Sequence, residues 1–420
     1  MYIKELSNKE FSDFTNTFPI KSIYQTTEYA FVMSKQNYDS MLIGLIDNGN
    51  IVAATLILIK TENGFKYAYA PRGFLLDYND TNLVTVFTKE IKKFLNKKSI
   101  IAIKLSPMII RNVLDFKNQK TIKNENYDKI YSHLKKLDYY HLGYNNFFEA
   151  IKPRFEAIID ISKPIPLLFK NVRKEFKTKI RSAIKCGIEI HRGTIDNINY
   201  LYEQTKNKYP RSLDYFENCF NYFSSNNMID YFYTKINTEN YLKYIQQKLA
   251  EYELESHKLN EAVINSVGKD NTSLINKKMN TDKYLDKYKN ELIKATEMLR
   301  DYPEGIITST ILIIKQNKQV SILIDAHDPK YSRFNSKHLL IWQLMQKYAK
   351  EGYKTFNLGG LSNVIVDTKK YTGLNEFKLS FGSVVYEYVG DLELITNKHG
   401  YNMYRNYVPI KNLIKSKLNK

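Results

Sequence analysis

Three stretches of the sequence carry side chains whose type and spacing could do chemistry. In Asn375-Glu376-Phe377-Lys378-Leu379-Ser380-Phe381 the alternation predicts a strand over 376–381, with Phe377, Leu379 and Phe381 on one face and Glu376, Lys378 and Ser380 on the other. If the polar face lines a cleft, the Lys378 ammonium could stabilise negative charge developing on a substrate oxygen. An exposed strand lysine is the plainer alternative. Pro71-Arg72-Gly73, with Asp77 behind it, is either an ordinary turn or a rigid mount that fixes the Arg72 guanidinium as a bidentate donor to carboxylate or phosphate. In the third stretch Leu168, Val172, Phe176, Ile180 and Ile184 recur at helical spacing while Arg173, Lys177, Arg181 and Lys185 recur every four residues. This predicts a helix with an apolar face and a basic ridge, stopped at Gly187. Residues 170–192 hold eight Lys or Arg against two Glu, so the ridge is either a solvated face or a contact surface for tRNA or phosphate.

Other chemistries lack their residues. None of the sixteen glycines begins a G-x-G or G-x-A triplet, which excludes a dinucleotide fingerprint and a Walker loop. The pyrophosphate loop of acyl-CoA-dependent acetyltransferases is missing too, so an acyl donor other than a CoA thioester is expected. Cys186 and Cys219 are the only cysteines and the seven His contain no H-x-x-x-H pair, so neither a disulfide framework nor a metal site is expected, and no cofactor.

The elements that must position these residues read as a mixed α/β protein. Helices are predicted at 9–17 and 27–35, and strands at 40–47 and 51–60 joined by Asn48-Gly49, the strongest short hairpin signal. A strand at 65–69, a helix at 82–96 and a strand at 100–106 follow. Strands at 306–315 and 320–326, a helix at 336–351, and strands at 355–358 and 384–389 repeat that order. Between the two halves, Leu242, Ile245, Leu249, Tyr252, Ser256, Leu259 and Val263 keep a heptad rhythm, as do Leu285, Tyr288, Leu292, Ala295, Leu299 and Tyr302. The polar run Gly268-Lys269-Asp270-Asn271-Thr272-Ser273 between them suits a turn, giving an antiparallel coiled-coil hairpin. Two copies of one α/β unit, with the hairpin inserted in the second, account for the 420 residues.

The formal charge of +19 and pI near 9.4 make a polyanionic partner sensible, whether nucleic acid, anionic headgroups or a diphosphate, although an AT-rich coding bias towards Lys would contribute. Residues 241–303 hold eleven basic and ten acidic side chains, so the excess lies outside the hairpin. The first 30 residues include Lys4, Glu5, Lys9, Glu10 and Asp13 and show no secretory signal. The longest apolar runs, 51–59 and 306–314, are half of what a membrane-spanning helix needs. A cytoplasmic location is expected, with peripheral contact at the inner membrane face.

Taken in order, the Pro-Arg-Gly turn, the basic helix, the heptad hairpin and the run Phe356-Asn357-Leu358-Gly359-Gly360 through Phe377-Lys378 to Glu387-Tyr388-Val389-Gly390-Asp391 resemble the Fem family. These are FemA-, FemB- and FemX-type aminoacyltransferases of cell-wall synthesis, and the likeness runs from Gln25-Thr26-Thr27-Glu28-Tyr29-Ala30 to Asp391. The resemblance implies two tandem acetyltransferase-like (GNAT-like) domains: 1–150, completed by 392–420, and 151–240 plus 304–391, with 241–303 as the arm. It implies an aminoacyl-tRNA donor and, as acceptor, an amine on lipid II or a UDP-linked muropeptide. The arm is a FemA-like and FemB-like feature and tilts the acceptor towards lipid II and the amino acid towards glycine, with serine or alanine as alternatives. It also offers a surface for a homo- or heterodimer.

Carried over by position, the family's substrate-clasping Arg and Tyr match Arg211 and Tyr215 in Pro210-Arg211-Ser212-Leu213-Asp214-Tyr215, and the Phe-Lys pair beside the reacting ester matches Phe377 and Lys378. The family's early substrate-binding Lys falls near Met33, which leaves Lys35 as its substitute. An Asp of the family's active site falls near Ser106. Asp325, ending the strand Ser321-Ile322-Leu323-Ile324-Asp325, is therefore the candidate for taking the acceptor's proton, with a turn or helix-side carboxylate as the plainer reading. The rival functions are an acyl-CoA-dependent N-acyltransferase of the same superfamily and a non-catalytic homologue that binds tRNA or a partner.

Overall fold

A computed structural model describes residues 1–20, 22–150, 152–207, 211–267 and 270–406. Its strands form two mixed sheets. The seven-stranded sheet runs in the order Tyr2–Glu5, Asp39–Asp47, Asn50–Glu62, Phe65–Ala70, Ile100–Leu105, Leu392–Ile395, Tyr139–His141. The nine-stranded sheet runs Ile188–Gly193, Ile229–Ile236, Ile306–Gln316, Gln319–His327, Thr355–Leu361, Phe155–Asp160, Val384–Tyr388, Ile110–Asp115, Lys120–Lys123.

Local chemistry explains the shared pattern. Asn48 and Gly49 both have positive φ, 46° and 81°, as a two-residue type I′ hairpin requires. In each sheet a hairpin is followed by a helical crossover to a parallel strand. Helix Thr81–Lys97 links Phe65–Ala70 to Ile100–Leu105, and helix Ser336–Lys350 links Gln319–His327 to Thr355–Leu361. The sheets also trade strands: Ile110–Asp115 and Lys120–Lys123, which belong with the first unit in sequence, pair in the second sheet, and Leu392–Ile395 returns to the interior of the first. A third apolar core joins the units, with Phe11, Ala54 and Leu56 packing in one cluster with Leu201, Phe216, Tyr231 and Leu312.

The arm is an antiparallel pair of helices, Thr238–Ile264 and Thr272–Asp301. Its rungs are Thr238 to the Tyr302 carbonyl, Tyr252 stacked on Tyr288 and Ser256 to Asp282. Gly268 and Lys269 of the expected turn lie outside the described residues, as does Pro210. Among the described residues no helix is long and apolar enough to cross a membrane.

Two local expectations are corrected. Residues 376–381 are not a strand; Thr372–Leu379 is a helix. Phe377 and Phe381 are four apart, a spacing at which a two-residue and a 3.6-residue period both return to the same face, and the short run could not separate them. The basic segment is not one helix but two, Ile165–Asn171 and Lys174–Lys185, broken where Val172 and Arg173 are extended. Leu168, Val172, Phe176 and Ile180 are buried as the periodicity predicts, but Ile184, in the last turn of the helix, is 56% exposed.

Candidate active site

A cleft of about 620 Å³ opens between the two sheets. Of the residues singled out from sequence, Arg72, Arg211, Tyr215, Asp325 and Lys378 line it together. Lys35 does not: it is exposed at the end of helix Thr27–Ser34, while Met33 is buried. Phe377 faces a second cavity, and Arg173, Lys177, Arg181 and Lys185 lie on the basic helix outside both.

Arg72 is held by the turn that carries it. Gln25, within the Gln25-Thr26-Thr27 motif, is buried and ties the turn to its sheet, donating to the Pro71 carbonyl at 2.8 Å and accepting from the Leu56 amide at 2.8 Å. The Arg72 guanidinium then crosses to the second sheet, donating to Glu156 at 2.6 Å and to the Pro153 carbonyl at 2.8 Å, and lies over the Tyr388 ring. Glu156 also accepts from Asn357 at 2.9 Å and from Tyr388 at 3.2 Å. Arg72 is thus a buried brace, one guanidinium nitrogen donating to both Glu156 and the Pro153 carbonyl.

Lys378 reaches the cleft from helix Thr372–Leu379 and donates to the Gly360 carbonyl at 2.6 Å. Burial pulls its pKa down to about 8, against the pull of Asp325 in the other direction. Asp325, on strand Gln319–His327, pairs with Lys337. Burial works to raise its pKa, but the ammonium groups of Lys337 and Lys378 outweigh that and hold it below the usual carboxylate range. Gly360 earns its place sterically: a Cβ there would lie 2.4 Å from Pro153 Cγ, so glycine lets the 152–156 segment lie against the strand.

That segment brings two residues that the motifs did not reveal, Glu156 and Lys152. Lys152 Nζ sits 3.1 Å above the Tyr24 ring centroid, and Tyr24 meets Tyr29 edge-on. Burial, then repulsion from Arg72 and Arg211, push its pKa well below the usual lysine value. Arg211 is exposed and lies over the ring of Tyr215, 4.8 Å from its centroid.

The second cavity, of about 310 Å³, lies on the other side of helix Thr372–Leu379. Leu374 lines both spaces. Phe377 packs there against Phe176 of the basic helix, His338 and Phe381. Burial, reinforced by Lys179 and Lys337, lowers the His338 pKa to about 4, so the imidazole is neutral at physiological pH.

The FemAB family model matches residues 6–407. Aminoacyltransferase FemA of Staphylococcus epidermidis is 24% identical over 426 residues, covering 98% of this chain and 100% of that protein. The lipid II:glycine glycyltransferase of the same species is 24% identical over 415 residues, 96% of this chain and 95% of that protein. Among solved structures, FemX superposes with a TM-score of 0.73 at 20% identity over 96% of this chain and 99% of that chain, a likeness of fold.

Proposed function

Because the chain belongs to the FemAB family, we propose that it is an aminoacyltransferase that moves an amino acid from aminoacyl-tRNA to an amine of a lipid-linked peptidoglycan precursor. The observation that carries the reading is helix Thr372–Leu379, a wall between two cavities: Lys378 faces the larger, Phe377 the smaller, and Leu374 both. Two substrates can approach such a wall from opposite sides. The acceptor occupies the larger cleft, clasped by Arg211 and Tyr215. The donor's aminoacyl ester meets it there, beside Lys378, and the adjoining nucleotide end lies towards the smaller cavity, whose wall packs on Phe176 of the basic helix. Arg173, Lys177, Arg181 and Lys185 of that helix supply the phosphate contacts a tRNA needs. Glycine is the amino acid this reading favours, in keeping with the glycyltransferase relative.

In the reaction the neutral acceptor amine attacks the ester carbonyl. A C–N bond forms, the C–O bond to the ribose breaks, and the proton lost by the amine ends on the ribose oxygen. Lys378 stabilises the oxyanion as an ammonium, and with a pKa about 8 it can pass a proton to the leaving oxygen. Asp325 is not given the proton-removal role: a carboxylate held acidic by two lysines is a weak base. It serves as the counter-ion that keeps Lys378 charged.

The test is transfer from tRNAs separately charged with labelled glycine, serine and alanine to lipid II and its bridge-bearing forms. Label from one charged tRNA entering the lipid fraction is the expected result. Label arriving only from an acyl-CoA, or binding of tRNA without transfer to any acceptor, would sink the reading.

A further inference from the structure

Two loops flank the mouth of the large cleft. Residues 142–149 follow strand Tyr139–His141, and residues 362–371 lead from strand Thr355–Leu361 into helix Thr372–Leu379. The loops are tied together: the Asn363 amide donates to the Asn146 carbonyl at 2.6 Å, and the Asn363 side chain donates to that of Asn146 at 3.0 Å. Phe148 of one loop meets Tyr371 of the other edge-on, and both rings line the cleft. In the turn that begins at Asn363, Ile365 and Val366 are 71% and 51% exposed. Lys369 and Lys370 follow, both exposed, with Lys370 Nζ over the rings of Phe147 and Tyr371. The acidic side chains of the loops are engaged locally. Asp367 accepts from the amides of Lys369, Lys370 and Tyr371 and from the Ser362 hydroxyl, and Glu149 accepts from the Phe147 amide. A turn pinned this firmly holds its two aliphatic side chains out in water.

We propose that the paired loops are a membrane-contact surface: Ile365 and Val366, with Phe148, enter the headgroup region of an anionic bilayer while Lys369 and Lys370 pair with its phosphates. Size favours a bilayer over a protein partner. Two aliphatic side chains and a ring fall far short of the roughly 20–30 residues a side that a stable protein interface uses. They match the shallow insertion by which a peripheral protein holds a membrane. Lysines beside the apolar tip are drawn to anionic headgroups, and a tyrosine such as Tyr371 suits the boundary between water and acyl chains. Position agrees, because the surface adjoins the cleft through Phe148 and Tyr371, so that a substrate anchored by a lipid tail reaches the cleft without leaving the bilayer. That use in presenting the acceptor rests on the proposed function; the membrane contact itself does not.

The experiment is co-sedimentation of the full chain with vesicles of phosphatidylcholine containing phosphatidylglycerol. Wild type is compared with the double variants Ile365→Ser/Val366→Ser and Lys369→Gln/Lys370→Gln, all at exposed positions, with thermal denaturation to check folding. Wild type is expected to bind, and the apolar variant to bind at least about tenfold more weakly. The lysine variant should lose at least about tenfold at low salt and less as salt is raised. A chain of charge +19 could also adsorb by charge alone, in which case the apolar variant would sediment like wild type. That result, or no binding by wild type, overturns the surface. Self-association of wild type that the apolar variant loses, without vesicle binding by either, would assign the patch to a second copy and overturn it too. Transfer kinetics test the use of the surface. For a lipid-linked acceptor embedded in the vesicles, KM should rise at least about fivefold in the apolar variant with kcat unchanged, while a UDP-linked acceptor in solution shows no rise. An equal rise for both acceptors would overturn the presenting role. Vesicle binding that depends on Ile365 and Val366, in a protein that transfers to no acceptor, upholds the surface and refutes the proposed function.

Discussion

Lys378, Asp325 and Lys337 form one electrostatic unit, and its pH behaviour can be worked out by sign. The oxyanion role needs the Lys378 ammonium, whose pKa is about 8, so kcat/KM should fall as pH rises through that value. Asp325 is the group that raises the Lys378 pKa. Asp325→Asn should therefore move the alkaline fall to lower pH. Lys378→Arg should move it up and out of the measurable range, and Lys378→Met should cut kcat by about 10²–10³ in a protein that still folds. A pH-rate profile of the three variants checks this; an alkaline limb that stays in place in Asp325→Asn would contradict the counter-ion role. Lys378, Arg211 and Tyr215, which line the cleft, were legible as candidates because they sit in short recognisable runs. Lys152 and Glu156 were not, because their meaning comes from partners distant in sequence: Glu156 answers Arg72 across 84 positions, and no local spacing encodes that contact. Lys35 lies outside the cleft, which was illegible for the same reason: only the packed helix shows which way it points.

Among the elements, helices and hairpins with strong local signals appeared where the sequence indicated: the Asn48-Gly49 hairpin, the crossover helices and both arm helices. The alternation over 376–381 predicts a strand where the helix Thr372–Leu379 forms, and the difference matters for chemistry. Successive residues on a strand face opposite sides, whereas on this helix Phe377 and Lys378 are about 100° apart and can line adjoining cavities of one wall. Strand Phe155–Asp160 offers no cue beyond a short apolar run, and in Ile188–Gly193 the alternation is only two apolar residues deep, Ile188 and Ile190. The arm permits a separate prediction. Only its base joins the main core, through Tyr241, Ile245 and Ala295, while Leu254, Ile264 and Met279 further out are exposed. Excising residues 251–287, which keeps Tyr288 against the core, and closing the helices with a short glycine-containing turn should leave a folded chain whose Tm stays within about 5 °C of wild type, measured by scanning calorimetry. A loss of cooperative unfolding would mean that the outer arm supports the core.

The whole molecule is braced across its two sheets by a few buried charges. Arg72 and Glu156, with side chains 3% and 10% exposed, join the turn of the first sheet to a strand of the second. Arg72→Ala leaves Glu156 buried and unpaired, and should cost about 3–5 kcal/mol in chemical denaturation. Arg72→Lys should recover only part of this, because the shorter, non-planar ammonium side chain loses the stacking of the guanidinium on the Tyr388 ring. Equal stability of Arg72→Ala and wild type would show that the brace is dispensable. The tandem arrangement could be read from repeated element order, whereas the exchange of strands between sheets could not, because order along a chain says nothing about which sheet a strand joins.

That exchange sets a timetable for synthesis. Strand Tyr139–His141 leaves the ribosome early, yet its partner in the sheet is Leu392–Ile395, which also pairs with Ile100–Leu105. The first sheet therefore cannot close until about 250 further residues have been made, and it waits with an open edge while the second unit and the arm emerge. Nascent chains halted before residue 392 should expose that edge to chaperones and proteases, however complete the earlier part of the sequence.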